Sequence, residues 1–361
     1  LNLASFAYFF NHKFGIFGII AYFLYDQRKT SMQKILATPV QLISIEEDYA
    51  GQRIDNYLVT RLKSMPKTRI YRILRKGEVR VNKKRVKPCY RLLAGDVVRL
   101  PPMYLEEKPN YEGPSRRAVS LLSDRILYED NGLMIINKPS GIPVHGGSQV
   151  SMGVIETMRA MYPQLVHLEL AHRLDADTSG CLILAKKRSV LKELHELLRA
   201  GEVHKVYLTL TKGHWTPPEM RVEASLQKNY LSNGERIVKV DKDGKKCLTV
   251  FAPVQGYPGA MLVEAVLHTG RTHQIRVHAR HRSHPIAGDE KYGERDFNKE
   301  MRQFGLKRLF LHSHKIEFTL PSTGQQIRVC ATLDEDLQFC LDKMKEFEEN
   351  HSKLKVLSDA I

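Results

Sequence analysis

The stretch AHRLDADTSGCLILAKK, Ala171 to Lys187, decides the fold of this chain. Its first half sets His172, Arg173, Asp175, Asp177, Thr178 and Ser179 ahead of Gly180, and its second half is the apolar run Cys181-Leu182-Ile183-Leu184-Ala185. A short apolar run behind a glycine has the length and bounds of a buried strand. The polar half is then a loop feeding that strand, and loops held by a rigid sheet are where chemistry tends to sit. Asp175 is the leading candidate. A carboxylate serves as nucleophile or base when neighbouring cations hold it ionised and aimed, and Arg173 stands close in sequence. The alternative is a surface turn whose Asp and Ser side chains bond backbone N–H groups.

The flanks extend a sheet. Arg125 to Tyr128 and Leu133 to Ile136 read as paired strands across Glu129-Asp130-Asn131-Gly132. NKPSGIPVHGG, Asn137 to Gly147, is rich in Pro and Gly and reads as a shaped loop that lets backbone approach a ligand closely. Val190 to Leu198 carries apolar residues at helical spacing, and Val203 to Leu210 alternates as a strand. On propensity alone, Tyr207 in that strand is a core aromatic. A closing helix is expected over Asp334 to Glu348, fraying into a polar end.

The densest polar text is LHTGRTHQIRVHARHRSHPIAGDEKYG, Leu267 to Gly293. His268, His273, His278, His281 and His284 are spaced five, five, three and three apart, with no acid among them. That spacing does not align two imidazoles on a helix with an acid, so no metal site is expected. Basic residues interleaved with histidine suit a phosphate backbone. Thr272 is placed to cap a helix beginning at His273, with Arg276 on its first turns.

The chain's 361 residues are enough for more than one domain. A net charge of +16 and a pI near 9.5 favour polyanionic partners, nucleic acid or an anionic membrane surface. Between Arg53 and Pro101 there are 15 Lys and Arg against three acids, so this segment carries +12 of the +16. Its apolar residues keep helical spacing, at Ile54, Tyr57, Leu58 and Leu62 and again at Ile70, Ile73 and Leu74 before Gly77. Val79, Val81, Val97 and Leu100 add a small sheet. Residues 51–101 are therefore a compact basic module with Lys67, Arg69, Arg72, Arg75 and Lys76 on an exposed surface, the footprint of a nucleic-acid contact. Residues 102–120, with prolines and no periodicity, read as a linker to a larger domain over 121–345.

Five cysteines, an odd number without CxxC spacing, argue against a disulfide framework or a zinc ribbon and fit a reducing cytosol. Residues 1–31 are rich in Phe, Ile and Tyr, but the longest apolar run, Phe14 to Tyr25, is 12 residues, and a membrane span needs about 20. They read as a non-native extension ahead of Met32, with a weak membrane anchor as the second reading.

Several of these stretches share one resemblance. HRLDADTSG resembles the RluA-type pseudouridine synthase signature, HRLD followed by two variable residues and TSG. NKPSG-x-x-VHGG, Lys205-x-Tyr207, TGRTHQIRVH, HPIAGDEKYG and RLFLHSHKIEF (Arg308 to Phe318) also resemble that family's text, in its order. At Thr209 the family often has Ala. The string RIDNYLVTRL…KTRIYRILRKGEVRVNKKRVK…LAGDVVRLP resembles the S4 RNA-binding domain.

The resemblance implies an α+β protein: an S4-like α/β module plus a larger domain on a mixed, mainly antiparallel sheet flanked by helices. It implies isomerisation of uridine to pseudouridine in RNA, with neither cofactor nor metal. Asp175 would be the catalytic carboxylate, Arg276 its partner, and Tyr207 would stack on the base. Arg173 would fill the gap left by a flipped base. His172, Thr178, Arg271, His273, Lys83 and Lys84 join the basic helix as RNA-binding candidates. Large-subunit ribosomal RNA, a monomer and the cytoplasm complete the expectation. Two other classes are open: a non-catalytic S4-type RNA-binding protein, and a hydrolase pairing Asp175 with Asp177.

Overall fold

The computed structural model describes residues 35–62, 65–106, 113–146, 152–216, 219–230 and 236–358. The expected extension over 1–31 lies outside the described residues. The chain forms two compact units, 1–112 and 113–361.

The first unit holds β1 (Ile35–Thr38), β2 (Gln41–Ser44), α1 (Ile54–Arg61), α2 (Lys67–Lys76), β3 (Arg80–Val81), β4 (Lys84–Arg85), β5 (Val97–Leu100) and β6 (Met103–Glu106). The sheet order is β2-β5-β3-β4, and β1 pairs with β6. Ile54, Tyr57 and Leu58 of α1 and Ile70, Ile73 and Leu74 of α2 form its core. Gly77, at φ 71, ends α2 in the left-handed conformation open to glycine. Lys67, Arg72, Arg75 and Lys76 are exposed on α2, and Arg69 is half-buried. Asn82 and Lys83, at φ 48 and 68, make the two-residue turn that joins β3 to β4, leaving Lys83 and Lys84 exposed.

The second unit runs α3 (Arg116–Ser123), β7 (Ile126–Glu129), β8 (Leu133–Lys138), α4 (Val154–Met161), β9 (Glu169–Leu170), β10 (Ser179–Ala185), α5 (Arg188–Ala200), β11 (His204–Lys212) and β12 (Met220–Glu223). It continues through β13 (Leu226–Tyr230), β14 (Arg236–Val240), β15 (Leu248–Tyr257), β16 (Ala260–Leu267), α6 (Gln274–His281), α7 (Arg295–Gln303), β17 (Leu311–Thr319), β18 (Gln326–Cys330) and α8 (Glu335–Ser358). A 10-stranded sheet has the order β12-β15-β16-β11-β17-β10-β8-β7, with β18 on β17 and β9 on β10. β10 and β17 pair in parallel and the other described pairs are antiparallel, which is the mixed α+β architecture expected. β13 and β14 form a separate hairpin.

The apolar run at 181–185 is buried on both sides of the sheet. Leu182 and Leu184 join Met134 and Ile136 on one face, with α4; Cys181 and Ile183 join Leu133 and Ile135 on the other, with α5. A strand covered twice reads as continuous hydrophobicity rather than alternation.

The β10–β17 joint is two residues long, Ser179 with His312 and Gly180 with Ser313; beyond it β17 pairs with β18. Gly180 has φ +104, and a Cβ there would lie 2.3 Å from the Ser313 carbonyl oxygen. The glycine of TSG is thus what lets two strands meet where the Asp175 loop enters the sheet.

Two expectations change. The segment 102–120 contains β6 and α3, because β6 finds a partner in β1 and Ser115 caps α3 by accepting from the Ala118 N–H at 3.2 Å. The closing helix runs to Ser358, beyond the expected end at Glu348. Acids in its first turn, Glu335 and Asp336, favour the helix start.

Candidate active site

Asp175 lies in the loop before β10, and the NKPSG loop clamps that loop through its backbone. Lys138 Nζ donates to the carbonyls of Pro139, Ile142 and Ala176 at 2.8, 2.9 and 2.9 Å. Gly141 N–H reaches the same Ala176 carbonyl at 2.9 Å, and Ser140 Oγ donates to the Asp177 carbonyl at 2.8 Å. The first part of this loop thus packs on residues 176–177, while its Pro143, Val144 and His145 line a cavity beside Asp175. Lys138 is fully buried, and its three protons have three acceptors.

Two side chains of the TGRTHQIR stretch face Asp175. Arg276 NH1 and His273 Nε2 each lie 3.6 Å from Asp175 Oδ2. Arg276, expected as the partner of Asp175, also binds Asp289 bidentately through Nε and NH2, both at 2.7 Å. Asp289 also accepts the N–H groups of Lys291 and Tyr292 at 2.9 Å, so a turn built for the fork presents it. A fork can close fully on one carboxylate, and the second then meets its edge. Burial works against the Arg276 charge; the hydrogen bonds and charge of Asp289 outweigh it and raise its pKa.

His273 begins α6 as its N-cap at φ 54, a left-handed conformation uncommon outside glycine. This corrects the expected cap at Thr272: the helix starts at Gln274 and has no side-chain cap bond. His273 Nδ1 is 2.7 Å from the Tyr292 hydroxyl, whose oxygen accepts the Val238 N–H of β14 at 2.9 Å. A hydroxyl that donates to Nδ1 places the His273 proton on Nε2, towards Asp175. Burial lowers the His273 pKa, more than the Asp175 charge raises it.

Asp175 borders two cavities. One, about 650 Å³, is lined by Lys205, Tyr207, Arg271 and Thr178; the other, about 640 Å³, by His145, Asp177, Lys307 and Arg308. Arg173, His273 and Arg276 line both. Tyr207, on β11, is 6% exposed, and burial pushes its pKa up. The sequence reading as a core aromatic and the resemblance thus meet: its body joins the core while its surface faces the cavity.

Arg173 and Arg271 are exposed at the cavity rim. His172 accepts the Ile183 N–H at 3.1 Å, and burial pushes its pKa down to about 3, so it offers no charge to a phosphate. Thr178 is buried and its N–H closes a turn onto the Asp175 carbonyl at 3.2 Å. Asp177 is exposed, and the second carboxylate bound to Arg276 is Asp289. Lys67, Arg69, Arg72, Arg75, Lys76, Lys83 and Lys84 belong to the first unit.

The histidine-rich block separates by burial. His278 is in the core, bonded to Thr249 Oγ1 and the Ala224 carbonyl at 3.0 Å, while His284 stacks on Trp215 at 4.2 Å. Among the described residues, no group of three or more His, Cys, Asp or Glu could hold a metal ion. No helix among them is long and apolar enough to cross a membrane.

Missed by sequence reading were Asp289, Tyr292 and Lys138. All three lie inside quoted motifs; only a three-dimensional partner distinguishes them from neighbouring polar residues.

A mixed sheet, a carboxylate in the loop that enters its parallel joint and an arginine held beside it define a class. Residues 132–281 match the model of the RNA pseudouridylate synthase family, and residues 52–98 match the S4 domain. The chain belongs to the RNA pseudouridylate synthase family and carries an S4 domain.

Within the family it is similar to the ribosomal large subunit pseudouridine synthase C of Haemophilus influenzae, 52% identical over 87% of this chain and 98% of that protein. The protein of that name from Escherichia coli is 52% identical over 85% and 97%. Among solved structures, human RNA pseudouridylate synthase domain containing 4 shares the fold at a TM-score of 0.52 and 23% identity, over 63% of this chain and 95% of that one.

Proposed function

We propose that this chain converts uridines of large-subunit ribosomal RNA to pseudouridine, as the names of its relatives describe for them. The N1–C1′ bond breaks, the uracil turns in its pocket, C5 bonds to C1′, and the C5 hydrogen leaves as a proton. The observation that carries the reading is Asp175. It is 21% exposed, borders both cavities, and meets Arg276 and His273 at 3.6 Å. That placement lets a sugar carbon reach a carboxylate whose surroundings are already cationic.

Asp175 acts as the essential carboxylate, Arg276 orients it, and Tyr207 supports the base. Arg173, on the rim of both cavities, fills the gap in the RNA. Flipping the nucleotide is required because C1′ is inaccessible in a stack, and unstacking costs a few kcal/mol, about 2–4. Arg271, His273 and Thr178 line the route in, and the basic face of α2 with Lys83 and Lys84 holds structured RNA. Residues 51–101 serve as RNA-binding module, 102–120 as linker with two ordered elements, and 121–345 as catalytic domain. The protein works as a cytoplasmic monomer.

The test is tritium release from ribosomal RNA labelled at uridine C5. Wild type and Asp177→Asn release tritium; Asp175→Ala and Asp175→Asn do not. Release by Asp175→Ala would refute the assignment, and equal loss from both Asn variants would favour a paired-acid hydrolase. RNA binding without release in wild type would favour a non-catalytic binding protein.

A further inference from the structure

Lys205 lies on β11 two residues before Tyr207, and both side chains line the same 650 Å³ cavity. Lys205 is 7% exposed. Among the described residues it has neither a hydrogen bond nor an ion pair, and burial is the sole influence on its pKa, lowering it from 10.5. An ammonium withdrawn from water without a partner destabilises the fold. Strain of that kind gathers at sites whose compensation arrives with the ligand.

We infer that Lys205 is a further catalytic residue, one that holds the uracil anion released when the glycosidic bond breaks. The inference rests on the proposed isomerase reaction. When N1–C1′ breaks, the bonding electron pair stays on N1, and the base departs as uracil anion with its charge shared by N1, O2 and O4. C1′ meanwhile bonds to the Asp175 carboxylate, or the sugar gives a proton to it; on either route the base carries the negative charge. As C5 bonds to C1′, the Asp175–C1′ bond breaks, or Asp175 returns its proton to the sugar; either way the carboxylate is freed and the base becomes neutral, after which C5 loses its proton and N1 gains one. A fixed, largely buried ammonium is most effective during the interval in which the anion exists. Before cleavage the uracil is neutral and gains little from it, so the effect falls on kcat rather than on binding.

The groups around Lys205 support this assignment. His172 and Arg173 face the cavity from the loop, His195 and Arg199 from α5, and His268, Arg271, His273 and Arg276 from the segment after β16; Tyr207 lies beside it. Asp175 is the one carboxylate in the lining. It belongs to the sugar end of the reaction, which leaves the cations of the cavity to the base and its phosphates.

The test uses the full chain, C5-tritiated large-subunit ribosomal RNA and the variants Lys205→Met and Lys205→Arg. Methionine fills the same volume without charge. Lys205→Met is expected to lower kcat about a hundredfold to a thousandfold, leave KM little changed, and keep or raise Tm, since a buried unpaired charge is gone. Lys205→Arg restores part of the rate. Wild-type kcat falls as pH rises through an alkaline limb below 10.5, and the arginine variant loses that limb. A Lys205→Met enzyme with unchanged kcat, or one whose Tm falls along with its kcat, overturns the inference. A wild type inactive on this RNA refutes the isomerase reading, and the inference falls with it.

Discussion

Replacing Asp289 with Asn should separate the two duties of Arg276. In the native site, Nε and NH2 meet Asp289 at 2.7 Å each, with side-chain exposures of 7% and 0%. Asparagine keeps an oxygen for the Lys291 and Tyr292 N–H groups, so the turn survives and the fork alone loses its charge partner. Removing one side of a buried pair costs about 3–5 kcal/mol, because the other charge stays buried. In a unit of this size each kcal/mol moves Tm by about 2–4 °C, so the expected fall is about 6–20 °C. The released guanidinium has one further carboxylate within reach, Asp175, with NH1 already 3.6 Å from Oδ2. It closes on that oxygen, and a carboxylate gripped by a fork is a poorer nucleophile. Thermal unfolding measures the first effect, and tritium release well below the lowered Tm measures the second. Adding Arg276→Met to Asp289→Asn should recover stability while activity stays lost. A single variant within 2 °C of wild type by thermal scan, about 1 kcal/mol or less, would show that the Arg276–Asp289 pair does not hold this loop.

Two further outcomes follow from single contacts. Gly180→Ala combines a left-handed φ with a Cβ 2.3 Å from the Ser313 carbonyl, and should cost about 3–5 kcal/mol in urea unfolding; a loss under about 1 kcal/mol would mean that the β10–β17 joint opens readily. Tyr292→Phe keeps the ring under Arg276 but removes the hydroxyl bonded to His273 Nδ1. In the wild type the His273 pKa is lowered, so its contribution to stability is complete above 6.5 and is lost as pH falls towards the lowered value. The variant leaves in place the burial that lowers the His273 pKa, so the pH at which this stability is lost should stay where it is while the ring loses its anchor and kcat falls. A loss of stability that begins closer to 6.5 would show that the hydroxyl, and not burial, sets the pKa.

What could be read in advance was what depends on order along the chain. Cys181 to Ala185 announces a strand covered on both faces, and Gly77 announces the end of α2, because burial and backbone freedom leave local marks. Asp175 was legible through its motif. The Arg276 partner was not: Asp289 and Asp175 are both acids in polar text, and which of them fills a fork depends on a turn that aims the Lys291 and Tyr292 N–H groups at the same carboxylate. The Thr272 cap failed for a related reason. Threonine favours a cap locally, but His273, bonded to the Tyr292 hydroxyl, takes the N-cap position in the left-handed conformation, and the helix starts one residue later.

Buried cations in the catalytic unit differ in how they are satisfied, and that difference separates scaffold from chemistry. Lys138 meets three carbonyls and ties two loops; adding a ligand would break bonds already made. Arg276 is saturated on its fork by Asp289 and offers Asp175 an edge, enough to orient a carboxylate without immobilising it. Arg308 is held by Asp334 and Asp336 at the far cavity. Among the described residues Lys205 has no such partner, although it is as deeply buried as Arg276. Folding supplies no reason to keep a charge there, since methionine would fill the space at lower cost. The proposed reaction, which makes an anion in that cavity for a short time, does supply one.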